Sequence, residues 1–210
     1  MPLLTDFKIA TNCPLAIWKL SESIDELTNQ ISLNSSQLNE LQLRQSEVHK
    51  KGFLGARNAL AHLNVSIDQL TFSNEGVPLI PNQFCSLSHS NNYAAAVINK
   101  DKVGIDIEAH REKIVRIASK FVHPKEALFI YDRVHKIELL TRLWTAKEAI
   151  YKCVQHKGLA FASQIQVEKF DLEDVTGNAQ VIYDGKKYQI DLHFSTFDNH
   201  QLTLAQYVSK

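Results

Sequence analysis

Two periods of apolar residues run through this chain and divide it into strands and helices. In Val103-Gly104-Ile105-Asp106-Ile107-Glu108 every second residue is aliphatic, the alternation of a strand with one buried face. Asp106 and Glu108 leave such a strand on the same side. Tyr188, Ile190, Leu192 and Phe194 alternate in the same way, and Ile17-Trp18-Lys19-Leu20 reads as a short strand. The helical period is clearest from about Ser36 to Leu63, through Leu38, Leu41, Val48, Phe53, Leu54, Leu60 and Leu63. It predicts one long helix, weakened in its middle by Gly52 and Gly55.

Turn and cap residues supply the punctuation. Ser23-Ile24-Asp25-Glu26 has the form of a capping box, and Ser73-Asn74-Glu75-Gly76 is a turn between strands at residues 70–72 and 77–80. A strand from Phe84 runs into a polar loop at Ser88-His89-Ser90 and returns as Tyr93 to Ile98. After the acidic strand, Ile114, Ile117 and Phe121 share one helical face, and Pro124 opens a further helix with Glu126 in its first turn. A long helix follows over residues 136–154, ended by Gly158. The remainder reads as four strands, residues 164–170, 179–183, 188–197 and 202–208, with Asp184-Gly185 a hairpin turn. Each half thus offers a long helix followed by antiparallel strands. The expected fold class is α+β, a pseudo-twofold pair of similar subdomains, each a long helix packed on a small antiparallel sheet, residues 1–100 in one and 101–210 in the other.

Composition narrows the function. Lys plus Arg and Asp plus Glu number 23 each, so no overall field draws nucleic acid or an anionic membrane, and anion binding has to be local. The three cysteines, Cys13, Cys85 and Cys153, are odd in number and widely spaced, which argues against a disulfide framework or a zinc site. The first residues lack the basic start and apolar run of a signal peptide, and no stretch approaches the roughly eighteen apolar residues of a membrane span. A monomer in the cytoplasm is expected.

Three groups of residues are candidates for chemistry. Asp106 and Glu108, held close on one face, suit a hard divalent ion with oxygen ligands, or a solvent-facing strand whose polar side is acidic. Trp144, Glu148 and Lys152 stand at i, i+4 and i+8 and stack on one side of a helix, where the pair Glu148 and Lys152 is also an ordinary surface arrangement. Lys50 and Arg57, seven residues apart, form either an anion grip or a solvated basic face. A lone histidine such as His89 is more often structural than a ligand.

The strand G-I-D-I-E at Gly104–Glu108, followed some forty residues later by W-T-A-K-E-A-I-Y-K at Trp144–Lys152, resembles the 4'-phosphopantetheinyl transferases of the surfactin-synthetase type, in which one chain carries both halves of the fold. Further matches are Phe53, Leu54, Arg57 and Leu60 to a helix whose arginine is associated with coenzyme A, and Leu87-Ser88-His89-Ser90 to an element whose histidine reaches the coenzyme A phosphates. Phe121, Pro124 and Glu126 match an F-x-x-P-x-E segment whose acid lies near the metal, and Lys157-Gly158-Leu159 a K-G-L ending. The chain departs from the family in having Val77 where a lysine is common, Cys85 as an extra residue, and Asn91 in place of a glycine.

The resemblance implies transfer of the 4'-phosphopantetheine arm of coenzyme A to a serine hydroxyl of an acyl or peptidyl carrier protein, with release of 3',5'-ADP. Asp106, Glu108 and Glu148 would hold magnesium, and Lys50, Arg57, Ser88 and His89 would bind coenzyme A. Lys152 would steady phosphate charge while Trp144 packs the helix. The proton acceptor stays open between Glu148, Glu126 and a water on the metal, since a carboxylate bound to magnesium is a poor base. The rival readings are another magnesium-dependent phosphotransferase or phosphohydrolase, and a non-catalytic module that binds coenzyme A or a carrier.

Overall fold

The computed structural model describes residues 2–4, 9–131 and 134–208. They form two compact units, one built on residues 13–100 and the other on residues 101–208, to which the short segment 9–12 also belongs.

In the first unit, β1 (Leu15–Lys19) leads to three helices, α1 (Ile24–Asn29), α2 (Ser35–Leu43) and α3 (Glu47–His62), and then to β2 (Thr71–Phe72), β3 (Pro78–Ile80), β4 (Gln83–His89) and β5 (Tyr93–Asn99). The sheet is antiparallel with the order β1-β5-β4-β3-β2. The second unit begins with β6 (Val103–Ala109), continues through α4 (Lys113–Ile117), α5 (Pro124–Ile130), α6 (Lys136–Val154) and α7 (Phe161–Gln164), and ends in β7 (Ile165–Val167), β8 (Thr176–Tyr183), β9 (Lys186–Phe197) and β10 (His200–Tyr207). Its antiparallel order is β6-β10-β9-β8-β7. The two units therefore repeat one topology: an opening strand, helices, then a four-stranded meander whose last strand returns to pair with the first. The α+β expectation of two similar subdomains holds.

Local chemistry explains most of the boundaries. The capping box at α1 is formed, with the Ser23 hydroxyl accepting from Glu26 N and the Glu26 carboxylate accepting from Ser23 N. Asp184 and Gly185 both take positive φ, as a two-residue hairpin turn between β8 and β9 requires. The single helix expected over residues 36–63 is broken in two, because Arg44 is extended and the Ser46 hydroxyl caps a new helix by accepting from His49 N. Gly52 and Gly55 do not weaken α3; they let other groups close onto it. A Cβ at Gly55 would stand 2.2 Å from Leu20 Cδ2, and one at Gly52 would stand 2.6 Å from the His89 ring. Helix expected over 111–121 is shorter, with α4 passing into a 3₁₀ turn at Ala118–Lys120.

Helix α6 is the centre of the second unit. It packs on β6 and β10 along one side and receives α4, α5 and β7 on others. Leu139, Leu140, Leu143, Ala146, Ala149 and Ile150 are buried, in one core with Ile190, Leu192 and Phe194 of the sheet. Its approach to β6 is set by Gly104, where an added Cβ would lie 1.9 Å from the Ala149 carbonyl oxygen and 2.6 Å from Cys153 N. Backbone cannot step aside as a side chain can, so Gly104→Ala must push the helix from the strand. We expect Gly104→Ala to lower stability by about 2–4 kcal/mol in urea unfolding, at the upper end of overpacking substitutions.

Candidate active site

Alternation along β6 sends Val103, Ile105 and Ile107 to one face, where all three are buried, and Gly104, Asp106 and Glu108 to the face that carries α6. Because Gly104 brings the last turns of α6 down onto the strand, Lys152 reaches Asp106. Its ammonium donates to Asp106 Oδ1 at 2.7 Å and to the Ile105 carbonyl at 3.0 Å. Asp106 itself is only 6% exposed. From Leu139 to Ile150 every residue of α6 is buried except Trp144 and Glu148, and Lys152 is half-buried one turn further on. The i, i+4, i+8 stripe seen in the sequence thus starts as the two breaks in the enclosed stretch from Leu139 to Ile150.

The acids here feel one another. Burial raises the Glu148 carboxyl to about 7, helped by the charges of Asp106 and Glu108 and opposed by Lys152. Burial also raises Glu108, with Asp106 adding to it and Lys113, Arg111 and Lys152 opposing. Burial is the larger cause at both, and the Asp106 charge adds to it.

The register of the sheet fixes this arrangement. Across the ladder, Asp106 pairs with Thr203 and Glu108 with Gln201 on β10. Those two partners hold α6: the Thr203 and Thr145 hydroxyls are 2.8 Å apart, and Gln201 Oε1 accepts from Arg142 Nε. Arg142 in turn donates to the carbonyls of Asp171, Leu172 and Asp174, so the loop before β8 is tied to the same helix.

Glu126 stands apart. With Lys147 it forms an ion pair of 2.7 Å in which both side chains are 0% exposed. The carboxylate also accepts from His123 N and Val167 N, and the ammonium donates to the carbonyls of Phe121, Phe161 and Ile165. A carboxylate so enclosed and engaged has no route to a substrate proton, so the placement of Glu126 among the catalytic groups is corrected: it anchors α6. Trp144 likewise packs, its ring 5.0 Å from Phe121 and 5.8 Å from Phe161.

Among the described residues, no three or more His, Cys, Asp and Glu side chains are arranged as a ready-made metal cage. Magnesium does not need one, since it is usually bound through one or two carboxylates, waters and substrate phosphates. The donor set suits it, being all carboxylate oxygen, and burial with a neighbouring Asp106 charge raises both Glu108 and Glu148. Asp106, Glu108 and Glu148 are the residues that could hold such an ion.

In the first unit, Arg57 is 3% exposed and stacks on Phe53, its guanidinium carbon 3.3 Å from the ring centre. Nη1 donates to the Phe53 carbonyl, Glu40 lies 3.6 Å from Nη2, and Nε has no hydrogen-bond partner among the described residues. Burial lowers its pKa to about 10. Arg44 also lies over the Phe53 ring, at 4.1 Å. Sequence reasoning missed Arg44, because the break between α2 and α3 removes any helical register linking it to Arg57. Lys50 is half-buried two turns before Arg57 on α3. Ser88 and His89 are neighbours on β4 and so leave opposite faces of the sheet. His89 goes to the α3 side, against Gly52, and Ser88, buried, to the other.

Comparison with known proteins places this geometry. The sequence pattern of the 4'-phosphopantetheinyl transferase superfamily matches residues 102–206, half of the 210. A curated relative, the 4'-phosphopantetheinyl transferase gsp of Aneurinibacillus migulanus, is 31% identical over 71 residues, 33% of this chain and 30% of that protein. The matched segment thus spans under a third of that relative's length. The solved holo-[acyl-carrier-protein] synthase of Thermotoga maritima aligns over 52% of this chain and 64% of its own at 17% identity and a TM-score of 0.41, a likeness too slight to carry an argument.

Two outcomes test the site. Lys147→Met should lower stability by about 3–5 kcal/mol in urea unfolding, since it leaves the Glu126 carboxylate buried without its partner. In metal-free protein, the raised Glu148 pKa means that folding is favoured while the group is protonated. That contribution is whole below 4.5 and is lost as pH rises through about 7. Glu148→Gln should therefore melt at a higher temperature than wild type at pH 8 in a chelator, with the difference vanishing toward pH 4.5.

Proposed function

The chain belongs to the 4'-phosphopantetheinyl transferase superfamily, and we propose that it transfers the phosphopantetheine arm of coenzyme A to a serine hydroxyl of an acyl or peptidyl carrier protein. The observation that carries this reading is the set Asp106, Glu108, Glu148 and Lys152 on the facing sides of β6 and α6, inside the span that matches the superfamily.

The serine oxygen forms a bond to the phosphorus that carries the pantetheine arm, and the bond from that phosphorus to the bridging oxygen breaks. The arm leaves on the serine, and 3',5'-ADP keeps the bridging oxygen. Asp106, Glu108 and Glu148 would hold magnesium, which when bound offsets the diphosphate charge and the charge that develops on the bridging oxygen. Glu148 is the group we assign to the serine proton, directly or through water. Lys152, on the same edge of the helix, supplies a point cation for phosphate oxygens.

For coenzyme A we assign Arg57, with Lys50, Ser88 and His89. Arg57 supports this by its buried charge, offset only in part by Glu40, and by its stack on Phe53, which together suit an anionic group beside a planar one. Arg44 on the same ring adds a second cation.

The test is the mass of an apo carrier protein after incubation with coenzyme A, magnesium and this protein. The expected product is the carrier plus one phosphopantetheine arm on serine, lost with a chelator and reduced at least about a hundredfold in rate for Glu148→Gln. Release of phosphate or nucleotide with no carrier present would instead mark a hydrolase, and an unmodified carrier under all conditions would end this reading.

A further inference from the structure

We propose that Lys152 is the resting occupant of the cation position at Asp106, and that a metal ion and the ammonium exclude one another there. The inference rests on the magnesium reading above and adds an order to it.

Without metal, the Lys152 ammonium is in direct contact with Asp106. Its contacts include the Asp106 carboxylate at 2.7 Å and the Ile105 carbonyl at 3.0 Å, oxygens of the kind that bind a small cation. Asp106 is fixed in the sheet, its side chain 8% exposed, whereas the Lys152 side chain is 29% exposed. The lysine can therefore swing out on its four-carbon stem without opening a hole in the core. Two positive charges on one carboxylate oxygen would stand within about 4 Å of each other and repel. One has to leave, and the mobile one is the lysine.

The consequence is sequential. While Lys152 sits on Asp106 its charge is spent inside the protein and is unavailable to a phosphate. Loading of the acidic edge frees it, so the phosphate-binding cation appears only in the metal-charged enzyme.

Manganese binding to the full chain without coenzyme A, followed by calorimetry at fixed pH, tests this on wild type, Lys152→Met and Lys152→Arg, with thermal melts as the check on folding. Lys152→Met should bind manganese about tenfold tighter or more, as removal of a competing charge requires, and Lys152→Arg no tighter than wild type. Equal or weaker binding by Lys152→Met means that the lysine organises the site and does not compete, which overturns the inference and leaves the magnesium reading standing. Absence of binding in all three proteins removes the magnesium reading and the inference with it. A second measurement needs no variant: acetylation of Lys152 in wild type, followed by peptide mass, should rise several-fold on adding manganese, relative to the other lysines. An unchanged ratio overturns the proposal.

Discussion

The contact on which the second unit depends is backbone against backbone. At Gly104 the strand offers no side chain, and the carbonyl of Ala149 and the amide of Cys153 occupy the space a Cβ would need. That closeness lets a lysine from one element and an aspartate from another meet at 2.7 Å without either being stretched. It also explains why Asp106 and Glu108 follow this glycine at steps of two: all three share the strand face that the helix covers. The glycine of the motif is thus a packing device in service of electrostatics, not a loop residue.

A contact this close has to be held in register, and the fold does so from both sides of the helix. On the sheet side, the residues directly across the ladder from Asp106 and Glu108 are those whose side chains bind Thr145 and Arg142. On the other side, Lys147 gathers three carbonyls and the Glu126 carboxylate, both side chains fully buried. Buried ion pairs contribute little net stability against an apolar alternative, but they tolerate few geometries. Lys147 and Glu148, adjacent in the chain, show the division of labour: one charge locks the helix inward, the next is left half-buried.

Much of this was legible in the residues. The alternation at Val103–Glu108 and the helical spacing of Trp144, Glu148 and Lys152 correctly gave the strand, the helix and the edge they share. What spacing does not carry is partner choice between distant segments. Glu126 begins a helix, as an acid in a first turn commonly does, and nothing local reveals that it points inward to Lys147. Gly52 and Gly55 read as helix breakers because propensity is a local quantity, whereas their use is set by Leu20 and His89 from other elements. The split of the long helix turned on Ser46, whose cap could have been read, and Arg44 was hidden by that same split.

The ladder order has a bearing on how the protein comes into being. Among the described residues, strand β6 is at one edge of its sheet and pairs with β10, which lies far along the chain. On the ribosome the G-I-D-I-E segment must wait for this partner until β10 has emerged. The acidic residues on that waiting strand then have a second use as gatekeepers, since charge on an open edge discourages pairing with a neighbouring nascent chain.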